Sequence, residues 1–145
     1  MVAGPGPHGS FLKQLFVQAG WFPTLVFLAH AVSLSFGHLY RSIPNADIAF
    51  HIVGGVAIAY FYSGTLALLQ HRGRIRSPDR GIWQVLILAL TATAAVFWEF
   101  AEFASDQWLG TRYQLNLDNT MSDMAFGILG GLVFVAFASR RSARR

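Results

Sequence analysis

Four apolar stretches, each long enough to cross a lipid bilayer as a helix, constrain this sequence more than any other feature. A hydrocarbon core of about 30 Å needs roughly 20 apolar residues at a rise of ~1.5 Å each. Residues 21–40, 47–69, 82–105 and 121–139 meet that need. Composition agrees. Of the 145 residues, 54% are hydrophobic and 12% are charged, and a soluble domain carries about 25% charged residues. The expected fold is therefore all-α: an integral membrane four-helix bundle over residues 21–139.

The flanks read differently. Residues 1–10 are rich in Gly and Pro and lack the basic region and cleavage site of a signal peptide. Residues 11–18 form a short amphipathic pattern, expected to lie along the membrane surface before Pro23 opens the first span. Together residues 1–20 are a flexible tail plus an interfacial helix, and residues 140–145 are a basic tail. The chain has no cysteine, which excludes disulfides and thiolate metal sites.

Basic residues set the orientation. The chain holds 11 Lys and Arg. Four spans place Lys13, the link with Arg72, Arg74, Arg76 and Arg80, and the tail with Arg140, Arg141, Arg144 and Arg145 on one side. By the positive-inside rule that side is cytoplasmic, and so are both termini. Only Arg41 and Arg112 fall outside. The net charge of +4 is then a topology signal. The inner arginines are expected to meet anionic lipid head groups, and no nucleic-acid partner is implied.

The acids are distributed the other way. Of seven Asp and Glu, only Asp79 is cytoplasmic. Asp47, Glu99, Glu102, Asp106, Asp118 and Asp123 all fall at or near the outer ends of spans, which the positive-inside rule does not require. From Gly81 to Glu99 is roughly 27 Å of helix, so Glu99 lies just inside the outer boundary, and Asp123 reaches a similar depth. His51 sits one turn inside Asp47. Glu99, Glu102 and Asp106 follow i, i+3, i+7 spacing on one stripe. Asp47, His51 and Gly55 share a face of the second span, as do Asp123, Gly127 and Gly131 of the fourth. Glycine faces let helices approach closely in membranes, so these polar groups face the bundle.

Several roles fit these groups. Thr120-Met-Ser-Asp123 has the form of a capping box, and Asn45 with Asp47 could cap the second span. Three stacked carboxylates at a C-terminal helix end are unfavourable alone. They call for a cation, a proton pathway or structural hydrogen bonds. The metal reading assigns His51, Glu99, Glu102 and Asp123 as ligands, with Asp106 or Asp47 as supporting partner or general base on an activated water. Oxygen-rich ligands with one imidazole suit a divalent Zn, Mn, Fe or Mg. Between the third and fourth spans, Arg112 and Gln114 belong to a polar outer loop. With Arg41 they are the residues expected to bind an anionic head group, although the arginines could equally pair with the acids. His38 could join the site or meet water, and His30 could hydrogen-bond between helices.

Asp47-x-x-x-His51 with Gly54-Gly55, Trp98-Glu99-Phe-Ala-Glu102-Phe, and Asp118-Asn119-Thr120-Met-Ser-Asp123-Met with a Gly-x-x-Gly-Gly tail resemble the YjdF-like family of small bacterial inner-membrane proteins. The layout is more distantly similar to the VanZ-like membrane proteins. The resemblance spans residues 45–135. It implies a four-helix bundle in the bacterial cytoplasmic membrane, with the polar constellation facing outward, and it implies no activity. In the family pattern an Asp directly precedes Thr. Here Asn119 does, so Asp123 is matched and Asp118 is not.

The function expected from these residues is a membrane-embedded, metal-dependent hydrolase or group transferase acting on a lipid or lipid-linked envelope molecule at the outer face. The alternative is a non-catalytic membrane subunit or small transporter whose outer carboxylates bind a cation or a partner protein, within an oligomer or larger complex.

Overall fold

Apolar runs of this length, bounded by capping and turn residues, fold as long helices. The computed structural model describes residues 10–35 and 45–142, without the side chains of residues 34, 35, 141 and 142. His38 and Arg41 lie outside the described residues. The described residues form five α-helices and one π-helical turn: α1 (Phe11–Leu15), the π turn (Phe16–Gly20), α2 (Trp21–Ser35), α3 (Ala46–His71), α4 (Arg80–Leu109) and α5 (Leu117–Ser142). Among the described residues there is no strand, and four helical stretches are long and apolar enough to cross a membrane: Phe11–Ser33, Ala46–His71, Arg80–Leu109 and Leu117–Arg140.

The first stretch does not restart at Pro23. The Ser10 hydroxyl caps α1 by accepting from the Lys13 N–H, and the helix then runs without a break into α2. Proline inside a helix removes a donor and crowds the preceding turn. Here the π turn widens the helix just upstream, with the Trp21 N–H bonding the Phe16 carbonyl five residues back. Just before Pro23, the Gln18 carbonyl gains a donor from another helix. The Tyr60 hydroxyl of α3 supplies it, at 2.7 Å.

At the start of α4 the Asp79 carboxylate accepts from the Ile82 N–H at 2.9 Å. Gly110, at φ 67°, ends that helix in the left-handed conformation that glycine adopts without strain. Helix α5 begins earlier than the capping box predicts. Asn116, not Thr120, receives the N–H three residues on, with its side chain 2.9 Å from the Asn119 nitrogen. Asp123 therefore lies more than a turn inside the helix and is not a cap. The expected side-chain cap at Asn45 is also missing, since Asn45 makes none in its left-handed conformation.

The closest seam joins α3 to α5. A Cβ added at Gly55 would fall on the Gly127 carbonyl, and one at Gly130 would fall on the Ile52 carbonyl. Gly131 brings α5 against Thr91 of α4. Nearer the basic end, Ala59, Leu66, Ile87 and Val135 form the buried core. The arginines there do more than face lipid. The Arg72 guanidinium donates to Gln14 at 2.8 Å and lies 5.2 Å from the Phe11 ring centre. Arg80 donates to the Ser139 carbonyl, which ties α4 to the end of α5. Large apolar side chains such as Val85, Phe97, Phe100 and Phe137 remain on the outside of the bundle, as a lipid-facing surface requires.

Candidate functional site

The antiparallel run of α3, α4 and α5 brings the start of α3, the end of α4 and the start of α5 to one end of the bundle. There the glycine seam sets how deep the polar groups lie. Because Gly55 and Gly127 let α3 and α5 touch backbone to backbone, His51 and Asp123, one turn before each, must meet. They do: His51 Nε2 is 3.7 Å from Asp123 Oδ1 and 3.5 Å from Asp47 Oδ1. One ligand atom from each of Asp47, His51 and Asp123 lies within 4.8 Å of the others. The side chains are exposed by 35% at Asp47, 11% at His51 and 4% at Asp123, so the group opens toward the end of the bundle and closes inward.

Those separations have a chemical meaning. They are too long for good hydrogen bonds. Two ligands each ~2.1 Å from a tetrahedral ion stand about 3.4 Å apart, close to both measured values. The donor set of one imidazole and two carboxylates suits a divalent ion such as Zn, Mn or Fe. Asp47, expected to stand behind the ligands, is thus one of the three clustered groups, and Asn119 Nδ2 donates to its other oxygen at 3.2 Å.

The stripe on α4 divides into three tasks. Glu99 is buried, with 3% exposure, and lies within electrostatic reach of His51, Asp123 and Asp47. Gln114 Nε2 donates both to the Glu99 backbone carbonyl at 3.0 Å and to Oε2 at 3.2 Å. Glu99 Oε1 is buried and has no hydrogen-bond partner. Buried polar atoms are rarely left so. Glu102 instead accepts from the Trp98 indole N–H at 2.8 Å and is not one of the three clustered groups. Asp106 organises the outer loop. Its Oδ1 accepts from the Thr111 hydroxyl at 2.6 Å and the Tyr113 N–H at 2.9 Å. Its Oδ2 accepts from the Gln114 N–H at 3.0 Å.

Asp106 thus holds the loop that holds Gln114, and Gln114 holds Glu99. Gln114 faces inward onto Glu99, away from the head-group role expected of it. Arg112 is exposed and makes no ion pair among the described residues. Asp118 is exposed in the first turn of α5. Sequence reasoning had no part for Asn119 or Trp98. The i, i+4 spacing of Trp98 and Glu102 was a usable signal for one of them, whereas the Asn119–Asp47 bond joins residues of different helices and leaves no local mark. His30 is buried, with its ring 5.2 Å from Phe50 and 5.4 Å from Trp98, edge to face with both.

Helices of this length around an interior imidazole–carboxylate group define a polytopic helical membrane protein with a buried polar centre. The chain belongs to the family of predicted membrane proteins designated DUF2238, whose pattern matches residues 11–144. It is 31% identical over 121 residues to an uncharacterised protein of Thermotoga maritima, a match covering 83% of this chain and 60% of that relative's length. No solved structure matches.

Proposed function

We propose that the chain is a membrane-embedded enzyme that uses a divalent metal held by Asp47, His51 and Asp123 for hydrolysis or group transfer on a lipid or lipid-linked molecule. The single observation behind this is the Asp47–His51–Asp123 group, spaced as ligands around an ion. The orphaned Glu99 Oε1 beside it adds weight. A bound ion supplies Lewis-acid polarisation of an ester or phosphoester oxygen. Glu99 is the general base in this reading, because Oε1 is uncommitted while Gln114 fixes the other oxygen. It takes the role expected of Asp106, whose oxygens are engaged by the loop. Glu102 stays on Trp98 and supports Glu99 from one turn away. Arg112, exposed at the loop, contacts the anionic part of the substrate.

We place this end of the bundle outside a bacterial cytoplasmic membrane. Arg72, Arg74, Arg76 and Arg80 gather at the opposite end, as positive-inside topology requires. The uncharacterised family fits the kind of protein that the YjdF-like resemblance implies. Lys13 belongs to the same basic end, at the inner head groups in this reading.

Metal analysis of the purified protein is the test. About one equivalent of divalent metal is expected, with a loss of tenfold or more in affinity for Asp123→Asn and His51→Ala. A well-folded protein without metal, and unable to take it up, sinks the reading. Stoichiometric metal without hydrolysis of any lipid ester assigns the chain to the non-catalytic alternative. Thiol labelling of Arg112→Cys from the outside only is the expected topology result.

A further inference from the structure

Beside the polar group lies a cavity of about 600 Å³, bounded by α1, the π turn, α2, α3 and α4, with Gly127 of α5 at its edge. It runs from Leu12 and Phe16 in the basic half of the bundle to Phe50 and His51 near the acidic end. Its walls are apolar almost throughout. The two threonines along it spend their hydroxyls on their own helices, Thr24 on the Gly20 carbonyl and Thr91 on the Ile87 carbonyl, both at 2.8 Å. The other polar side chains that line it are His30 and His51. His51 is thus shared: one ring belongs both to the cavity wall and to the group with Asp47 and Asp123.

Three further observations bear on what fills it. An apolar cavity does not hold water, and in a membrane-spanning bundle the surrounding phase is hydrocarbon. Access is lateral. Helix α2 packs on α3 but shares no extended interface with α4. The gap is bridged by side chains, with the Phe27 and Trp98 rings 6.0 Å apart and Phe27 53% exposed. Size is the third. At about 600 Å³, the cavity is roomy enough for an acyl chain.

We infer that this cavity is a binding site for one unbranched acyl chain of a membrane lipid, which enters sideways between α2 and α4 and ends at His51. The placement of the ester end at the polar group rests on the metal-enzyme reading above, whereas the chain site itself does not. Gly54 provides the means of testing it. A Cβ there meets nothing within 4 Å, and the residue lines the cavity, so a large side chain at this position projects into free space and fills the site.

The probe is a hexadecanoic acid carrying a mid-chain diazirine, irradiated with the full-length protein in phosphatidylethanolamine–phosphatidylglycerol vesicles and located by peptide mass spectrometry. Label is expected on residues 50–58 and 94–98. It should fall at least fivefold in Gly54→Phe and stay unchanged in Gly54→Ala. Ala94→Leu, on the opposite wall, repeats the test if Gly54→Phe does not fold. Label spread over lipid-facing positions such as Val85, Phe100 and Phe137, indifferent to both filling variants, overturns the proposal. Displacement by a polyisoprenyl phosphate and not by excess hexadecanoate overturns the choice of an acyl chain. Metal content measured on the same samples separates the two readings: site-specific label without metal leaves the chain site standing and removes the metal enzyme, and metal without site-specific label does the reverse.

Discussion

The two sides of α3 are built on opposite principles. Toward α5, Gly55, Gly127 and Gly130 bring backbones into contact. Toward α2 and α4 the same helix presents Gly54 to open space and borders a cavity of about 600 Å³. Adjacent glycines thus serve contrary ends. One removes a side chain so that helices can touch, and the other removes one so that nothing touches. Van der Waals packing is the main force between helices in lipid, so the tight side fixes His51 against Asp123 and the loose side stays free to admit a ligand. The lesson is that a glycine pair in a membrane helix carries two signals, separable only by which neighbour each faces.

Substitutions along α3 can break that contrast. The largest effect is expected at Gly55→Leu, where even the first added carbon meets the Gly127 carbonyl. Overpacking costs about 1–3 kcal/mol or more, and a collision with backbone belongs at the upper end. Thermal unfolding in detergent should show a loss of at least about 3 kcal/mol, or no folded protein; near-wild-type stability would contradict the seam. Next is Tyr60→Phe, which removes the hydroxyl's bond to the Gln18 carbonyl and should cost about 0.5–1.5 kcal/mol in the same assay. Gly54→Ala tests the loose side. It adds a methyl group to open space and should stabilise by about 0.5–1 kcal/mol through the helical preference of alanine. A destabilisation of that size would mean that the cavity wall is closed. The smallest effect belongs to Arg112→Ala, within about 0.5 kcal/mol of wild type, because this exposed residue makes no ion pair among the described residues. A clear drop in unfolding temperature would show that the arginine pairs with the acids after all.

Much of this arrangement was legible in the sequence. Span lengths follow from apolar runs, and the i, i+4 pairing of Asp47 with His51 and the Asp123–Gly127–Gly131 stripe put the right faces together. What the sequence left open was competition between equivalent local choices. Thr120, three positions before Asp123, reads as the cap, but it is Asn116 that accepts from an N–H three positions on. Asn116 captures the helix start, which frees Asp123 for the interior. Spacing alone likewise treats Glu99, Glu102 and Asp106 as one stripe. Their separate partners, Gln114, Trp98 and the Thr111–Gln114 loop, depend on a loop conformation that no periodicity encodes. At Pro23 a break was legible and the unbroken helix was not, since a π turn lies just upstream and a hydroxyl on another helix bonds the Gln18 carbonyl.

The π turn carries a consequence for how this chain can vary. A π turn is one residue inserted into an otherwise regular helix, so the helix before and after residues 16–20 keeps its faces only while that extra residue is present or cleanly absent. Deleting one residue within the turn should restore α geometry and leave both flanks in phase. A deletion in 21–26 turns everything beyond it by about 100°, carrying Phe27 and His30 off the cavity wall. Single-residue deletion scanning, scored by the yield of folded protein, should find one tolerant window in this helix. In that sense residues 16–20 are the helix's only spare tooth, the one place where its reading frame can slip without jamming the gear.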